Sequence, residues 1–281
     1  MELHTEFEKE NTNNRLPTID ATRVENKNAC MNAKADAGKL EDAKSTTSST
    51  AASCGGEVPR AKIPVCGDND ITDQNHSMAL IEALNEGNLD RVAMLLDGKA
   101  DINITDEEGF ALLALAAFKG HVTCLKLLLA AKADANDANV HKNTALILAA
   151  REGNTECVQL ILDAKADVDA SNEGGNTACI VAAMSGQTAC LQLLLDAKAD
   201  INAVNGGGNT ACIVAVVMGQ THCLQLLLAA KADFTAAGQN GFTALMAAAR
   251  RGETGCLQLL LAAKADTDAV NTEGDTASIL A

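Results

Sequence analysis

Asn143-Thr-Ala-Leu-Ile-Leu-Ala-Ala-Arg-Glu-Gly-Asn-Thr-Glu-Cys-Val-Gln-Leu-Ile-Leu-Asp-Ala-Lys-Ala-Asp167 carries two helical signals separated by one glycine. The run from Thr144 reads as a short helix stopped at Gly153. Asn154-Thr155 can cap a second helix, in which Cys157, Leu160, Ile161 and Ala164 follow the i, i+3, i+4, i+7 spacing of one helix face. That helix ends near Lys165, and the polar stretch Asp169 to Gly175 is a loop rich in turn residues. Neither helix, at roughly two to three turns, is stable alone. Each must bury its stripe against neighbours.

The neighbours are copies of the same unit. Lys99, Lys132, Lys165, Lys198, Lys231 and Lys264 lie 33 residues apart, each followed by Ala-Asp. Gly87, Gly120, Gly153, Gly186, Gly219 and Gly252 keep the same period, as do the pairs Leu128-Leu129, Leu194-Leu195 and Leu260-Leu261. Asn176-Thr-Ala-Cys-Ile-Val-Ala182 returns unchanged as Asn209-Thr-Ala-Cys-Ile-Val-Ala215. Self-similarity at a fixed period is the signature of a stacked array. The expected fold is all-α: a solenoid of helix-turn-helix units joined by short hairpin-like loops.

From about His76 to the C-terminus the residues resemble the ankyrin repeat, as six full units and a cut-off seventh. Thr177-Ala-Cys-Ile-Val-Ala-Ala183 stands where that family has Thr-Pro-Leu-His-x-Ala-Ala at its first helix. Gly153-Asn-Thr-Glu-Cys-Val158 corresponds to the Gly-His element before the second helix, and Leu162-Asp-Ala-Lys-Ala-Asp-Val-Asp169 to the helix end and following hairpin. The departures carry information too. All three prolines, Pro17, Pro59 and Pro64, lie outside the repeats. The family's His is replaced by Ile147, Ile180, Ile213 and Met246, so its bond to the Thr hydroxyl cannot form. Lys occupies the place past the second helix where the family prefers Gly; a left-handed residue there is strained by roughly 1 kcal/mol, partly recovered by a cation near a helix C-terminus.

Residues 1–75 differ. They hold only 10 Leu, Ile, Val and Phe, below the roughly 20% at which a core becomes unattainable, and include the low-complexity run Ser45-Thr-Thr-Ser-Ser-Thr-Ala-Ala-Ser53. A disordered N-terminal arm over 1–75 is expected, ahead of an array over 76–281. Val58-Pro-Arg-Ala-Lys-Ile-Pro-Val65 reads as linker rather than docking motif.

Composition removes several functions. Of the 281 residues, 22 are Lys or Arg and 37 Asp or Glu, a formal charge of −15. A nucleic-acid binder needs a basic face instead. Aromatics are 2%, with no Trp or Tyr, so stacking platforms are scarce. The longest apolar run, Phe110 to Phe118, is about half a membrane span, and Met1 to Asn14 has no apolar segment of a signal peptide. An intracellular, cytoplasmic, monomeric protein with no membrane insertion is expected.

Candidate chemistry fails residue by residue. Cys124, Cys157, Cys190, Cys223 and Cys256 share one repeat position, and Cys179 and Cys212 another. Equivalent residues of stacked helices sit roughly 8–10 Å apart, too far for a shared ion or a disulfide, so these are small buried hydrophobes. Cys30, Cys54 and Cys66 read as exposed thiols. The five His form no ligand pair, and His121 sits in the structural Gly-His element. Gly206-Gly-Gly208 lacks the Gly-Lys-Ser/Thr of a phosphate loop. In the stretch from Asp68, Ala79 stands where a calcium loop needs Glu. The expectation is no catalytic site, no metal and no cofactor.

Binding remains. The resemblance implies that partner-contacting positions lie on a concave face, just before each Thr and each Gly of the units. Here those are Phe110, Phe118, Lys119, Val140, His141, Arg151, Glu152, Met184, Val217, Met218, Gln239, Asn240, Phe242, Arg250 and Arg251. Residues 76–281 hold 24 acidic and 13 basic side chains, so Arg250-Arg251 stands out in an acidic body. The first expectation is an interaction module or adaptor for another protein or peptide, whose apolar anchor meets Met184, Val217 and Met218 beside the arginine pair. A second is a regulatory or targeting portion of a larger protein, enzymes included, truncated after Ala281. A third is a weakly selected array without a dedicated partner, since two of its units have hardly diverged.

Overall fold

The computed structural model describes residues 69–107 and 109–281. Thr144 caps the first helix of its unit, its hydroxyl accepting from the Ile147 amide at 3.3 Å, and the helix runs Ala145–Glu152 to a left-handed Gly153. Thr177, Thr210 and Thr243 do the same for Ile180, Ile213 and Met246. The Thr hydroxyl thus bonds the backbone of its own helix.

Thirteen α-helices among the described residues follow from this grammar. They are α1 Asn69–Glu86, α2 Leu89–Asp97, α3 Leu112–Lys119, α4 Val122–Ala130, α5 Ala145–Glu152, α6 Thr155–Asp163, α7 Ala178–Ser185, α8 Thr188–Asp196, α9 Ala211–Val217, α10 Thr221–Ala229, α11 Ala244–Arg251, α12 Thr254–Ala262 and α13 Ala277–Leu280. No strand occurs among the described residues; only isolated antiparallel bridges, such as Ser171–Thr177 and Val204–Thr210, close the hairpin-like loops. Residues 68–281 form one compact unit. The helical part begins earlier than expected: α1 starts at Asn69, so the last residues of the expected arm are helix. The rest of that arm lies outside the described residues.

The second helices correct two details of the sequence reading. In α6 the buried residues are Cys157, Val158 and Ile161, while Ala164 caps the helix and is exposed. Asn154 stands at the cap but its side chain turns away, donating to the carbonyls of Ala117 at 2.8 Å and Phe118 at 3.1 Å in the preceding unit. Side chains at this repeat position lie over the left-handed glycine one unit back. At Gly120 (φ +73°) a Cβ would stand 2.8 Å from Asn154 Oδ1. Glycine is favoured there by φ, and a larger residue would also have to push the Asn154 side chain off its two carbonyls.

The left-handed lysines are confirmed: all six repeat lysines have φ between +59° and +72°. The first helices are buried on nearly every side, Ala145 through Ala150 without a break. A fully buried Leu or Ile contributes about 1.5–3 kcal/mol, and this packing, rather than propensity, holds such short helices. First helices of successive units pack more closely than second helices. The last turns of the first helices therefore lie along the more closely packed side of the stack.

Candidate partner-binding face

Each first helix ends in two residues before its glycine, and these pairs fall into register along the stack. Reading from α3 to α11, the first of each pair is Phe118, Arg151, Met184, Val217 and Arg250; the second is Lys119, Glu152, Ser185, Met218 and Arg251. Inward-turned positions of the same helices are small or aliphatic residues, Cys and Met in the core, so this two-residue edge is where side-chain chemistry can vary without harming packing.

At the α3 and α5 end, the rings of Phe110 and Phe118 stack with centroids 6.5 Å apart and planes 14° from parallel. The Arg151 guanidinium lies 5.3 Å above the Phe118 ring, and its Nε donates to Glu152 Oε1 at 2.9 Å. Four of the expected contact residues therefore form one cluster. Cation–π pairs of this exposure contribute about 0.5–1 kcal/mol, and the ion pair adds little at the surface. Their larger effect is to hold a long side chain in one pose.

At the α11 end, Arg250 lies 5.4 Å over the ring of Phe242. Phe242 itself corrects the sequence reading: at 7% exposure it is buried, a support for Arg250 rather than a surface offered to a partner. Arg251 is exposed, and Met184, Val217 and Met218 between the two clusters are half-buried. Met218 follows a helix one residue shorter than its equivalents, α9 ending at Val217.

The remaining candidates lie on loop tips. Val140 is 70% exposed; His141 Nδ1 meets Glu173 Oε2 at 3.0 Å. Gln239 and Asn240 sit in a short 3-10 turn, with Asn240 left-handed at φ +60°. These tips serve stacking: the carbonyls of His141, Gly174 and Asn240 accept amides of the next loop, from Glu173, Gly206 and Thr272.

An asparagine ladder beneath the tips escaped the sequence reading. Asn139, Asn172, Asn205 and Asn271 each accept two amides of their own loop, as in Asn205 with Gly207 and Asn209. The Asn172 amide donates to Asn143 Oδ1, and that of Asn205 to Asn176 Oδ1, both at 3.0 Å. Where Phe110 and Phe242 replace the accepting Asn, the amides of Asn139 and Asn271 are buried without a hydrogen-bond partner. The repeated Asn at 33-residue spacing was the available signal.

The thiols fit the packing expectation. Cys124, Cys157, Cys179, Cys190, Cys212, Cys223 and Cys256 are free and buried, and burial pushes the Cys179 and Cys212 thiols up to about 12. Thr155, Thr188 and Thr221 hydroxyls touch the sulfurs of Cys190, Cys223 and Cys256 in the following units at 3.8, 3.5 and 3.6 Å. Cys30, Cys54 and Cys66 lie outside the described residues. Among the described residues no group of three or more His, Cys, Asp or Glu is arranged to hold a metal, and no helix is long and apolar enough to cross a membrane.

A family model described as ankyrin repeats (three copies) matches residues 49–139, 113–205, 146–238 and 200–271. Among solved structures, the ankyrin repeat domain of Bcl-3, described as a member of the IkappaB protein family, is 30% identical with a TM-score of 0.66; the match covers 72% of this chain and 93% of that one. The human ASB11 ankyrin repeat domain is 29% identical with a TM-score of 0.66, covering 72% of this chain and 90% of its own. No curated protein matches the sequence.

Proposed function

The chain belongs to the ankyrin-repeat family, and from that premise we propose that it is a non-catalytic interaction module or adaptor, docking a protein or peptide on the concave edge formed by the ends of α3, α5, α7, α9 and α11. One observation carries the reading. Half-buried Met184, Val217 and Met218 form the middle of that edge, and an arginine held on a phenylalanine ring stands at either end. Flexible apolar side chains beside a cation are the composition of an adaptable contact surface. Seven unpaired buried thiols suit a reducing compartment, in keeping with cytoplasmic residence. The formal charge of −15 opposes a nucleic-acid partner, and the module is taken to act as a monomer.

The test uses proteins retained by the immobilised full chain, with affinities measured for each. Met218→Ala combined with Arg251→Ala should weaken a true partner by at least ~2 kcal/mol, with the helical circular dichroism unchanged. A partner whose affinity survives this double change docks elsewhere, and the concave reading is then wrong.

A further inference from the structure

Arg151 and Arg250 occupy the same repeat position three units apart, and both guanidinium groups lie on phenylalanine rings, at 5.3 and 5.4 Å. We infer that these two arginines are paired carboxylate anchors flanking the apolar seat of Met184 and Val217, so that the partner is a single peptide segment with an acidic residue at each end of an apolar stretch. This rests on the concave-face reading and specifies its ligand.

Three observations support it. First, the local charge is opposite to that of the chain: the paired last-turn positions from Phe118 to Arg251 hold Lys119, Arg151, Arg250 and Arg251 against Glu152 alone, in a protein of formal charge −15. Glu86, in the preceding unit, is already held by Arg91, 3.9 Å away. Second, stacking fixes the plane of a guanidinium, so less side-chain entropy is lost when its edge takes a carboxylate in two parallel hydrogen bonds. Glu152 occupies the Nε of Arg151 and so orients the rest of the group.

Third, the supporting rings are present despite a local penalty. Phe110, on which Phe118 stacks, and Phe242, beneath Arg250, stand where the asparagine ladder needs an accepting Asn. Each leaves an Asn amide, of Asn139 and Asn271, 5% exposed and unbonded. A buried donor without an acceptor is destabilising, and departures of this kind concentrate where function requires them. These two departures each carry an arginine, Phe242 directly and Phe110 through Phe118, whereas the third, Gly238, removes a donor and carries none. That coincidence is what a selected anchor pair leaves behind.

The spacing sets a ruler. Three steps of roughly 8–10 Å place the anchors about 24–30 Å apart, which an extended segment spans in about seven to nine residues and a helix in roughly 16–20. A library of random peptides of ~20 residues, long enough for either form, displayed on phage and panned on the immobilised full chain, tests this directly. Enriched sequences should carry Asp or Glu on both sides of an apolar core. The best of them, synthesised, should bind at least ~10-fold more weakly to Arg151→Ala or to Arg250→Ala, the size expected of a lost charge-assisted contact, and binding to the unaltered chain should weaken more steeply with salt than binding to either variant. Arg151→Lys with Arg250→Lys, which keeps the charge and the fold, should not restore binding.

Enriched peptides without acidic residues, or full binding by the double lysine variant, would overturn the anchor pair. If such acid-free peptides still lose affinity on Met184→Asp, the concave face remains the docking surface and only its ligand chemistry is wrong. Retention of no peptide, or peptides indifferent to Met184→Asp, removes both readings.

Discussion

The loops opening at Asn172 and Asn205 are tied to their predecessors by their own asparagines, whereas the unit of Gly238 is tied to its predecessor upstream of that loop, where the Asp233 amide donates to Asn202 Oδ1 at 2.8 Å. Between the first pair, Asn205 donates to Asn176 and the Gly206 amide to the Gly174 carbonyl at 2.8 Å. Between Asn205 and Gly238, glycine replaces the asparagine. The two seams differ in width as well. A Cβ on Gly175 would stand 2.6 Å from the Gly206 nitrogen, whereas one on Gly208 would stand 3.5 Å from that of Gln239. The helices keep their 33-residue period across both seams, so periodicity alone does not report how firmly two units are joined. Single loop residues do.

The comparison breaks most easily at the asparagines. Asn205→Ala removes three hydrogen bonds and should destabilise the array by about 3 kcal/mol. Asn271→Ala removes the same two loop bonds but also deletes an unbonded amide, and should lose only about 1 kcal/mol. Urea midpoints measured at unchanged slope decide it; equal losses would mean that the ladder carries no energy between units. Next come the glycines, which share φ +71°. Gly208→Ala should cost about 1 kcal/mol of left-handed strain, and Gly175→Ala at least about 2 because backbone must also move.

Gly238→Asn runs the other way. Its backbone is extended, and the atoms met first are at the end of the Asn209 side chain, which can rotate. Rebuilding the missing rung and restricting the unfolded chain should stabilise by about 1 kcal/mol and slow amide exchange over 237–243. Unchanged exchange there would show that the seam is closed by something other than the rung.

Thiol labelling gives the finest probe. Cys179 and Cys212 share their repeat position and their pKa of about 12, so intrinsic reactivity cannot separate them. Cys212 lies on α9, beside the loose seam, and should react several-fold faster at pH 8 if local opening controls access. The exposed expectation for Cys30, Cys54 and Cys66 makes those the first to label. Both buried thiols bind their protons more tightly when folded than when unfolded, where the value is 9.0. Their contribution is therefore complete below pH 9 and lost as pH rises toward 12, so urea midpoints should fall over that window.

Much of this architecture was legible. Thr, Gly and Lys at fixed spacing located helix starts and stops because each answers a local backbone demand, and the left-handed lysines followed from position alone. The start of α1 was missed because a count over 75 residues averaged away a few helical ones at its end. Phe242 was taken for a contact because it precedes a Thr; only the packed structure shows Arg250 lying over it. The hydrogen-bonded loop seams were invisible to a reading built on apolar periodicity, since polar ladders leave no trace in the burial pattern.

Two of the units, those beginning at Asn176 and Asn209, are near copies, and each supplies one step between Arg151 and Arg250. Removing one or adding a third would leave each arginine on its own ring while changing the distance between them by a single step of roughly 8–10 Å. Selectivity for ligand length is then encoded in unit number, and an unequal crossover can alter it in one event where point mutation cannot.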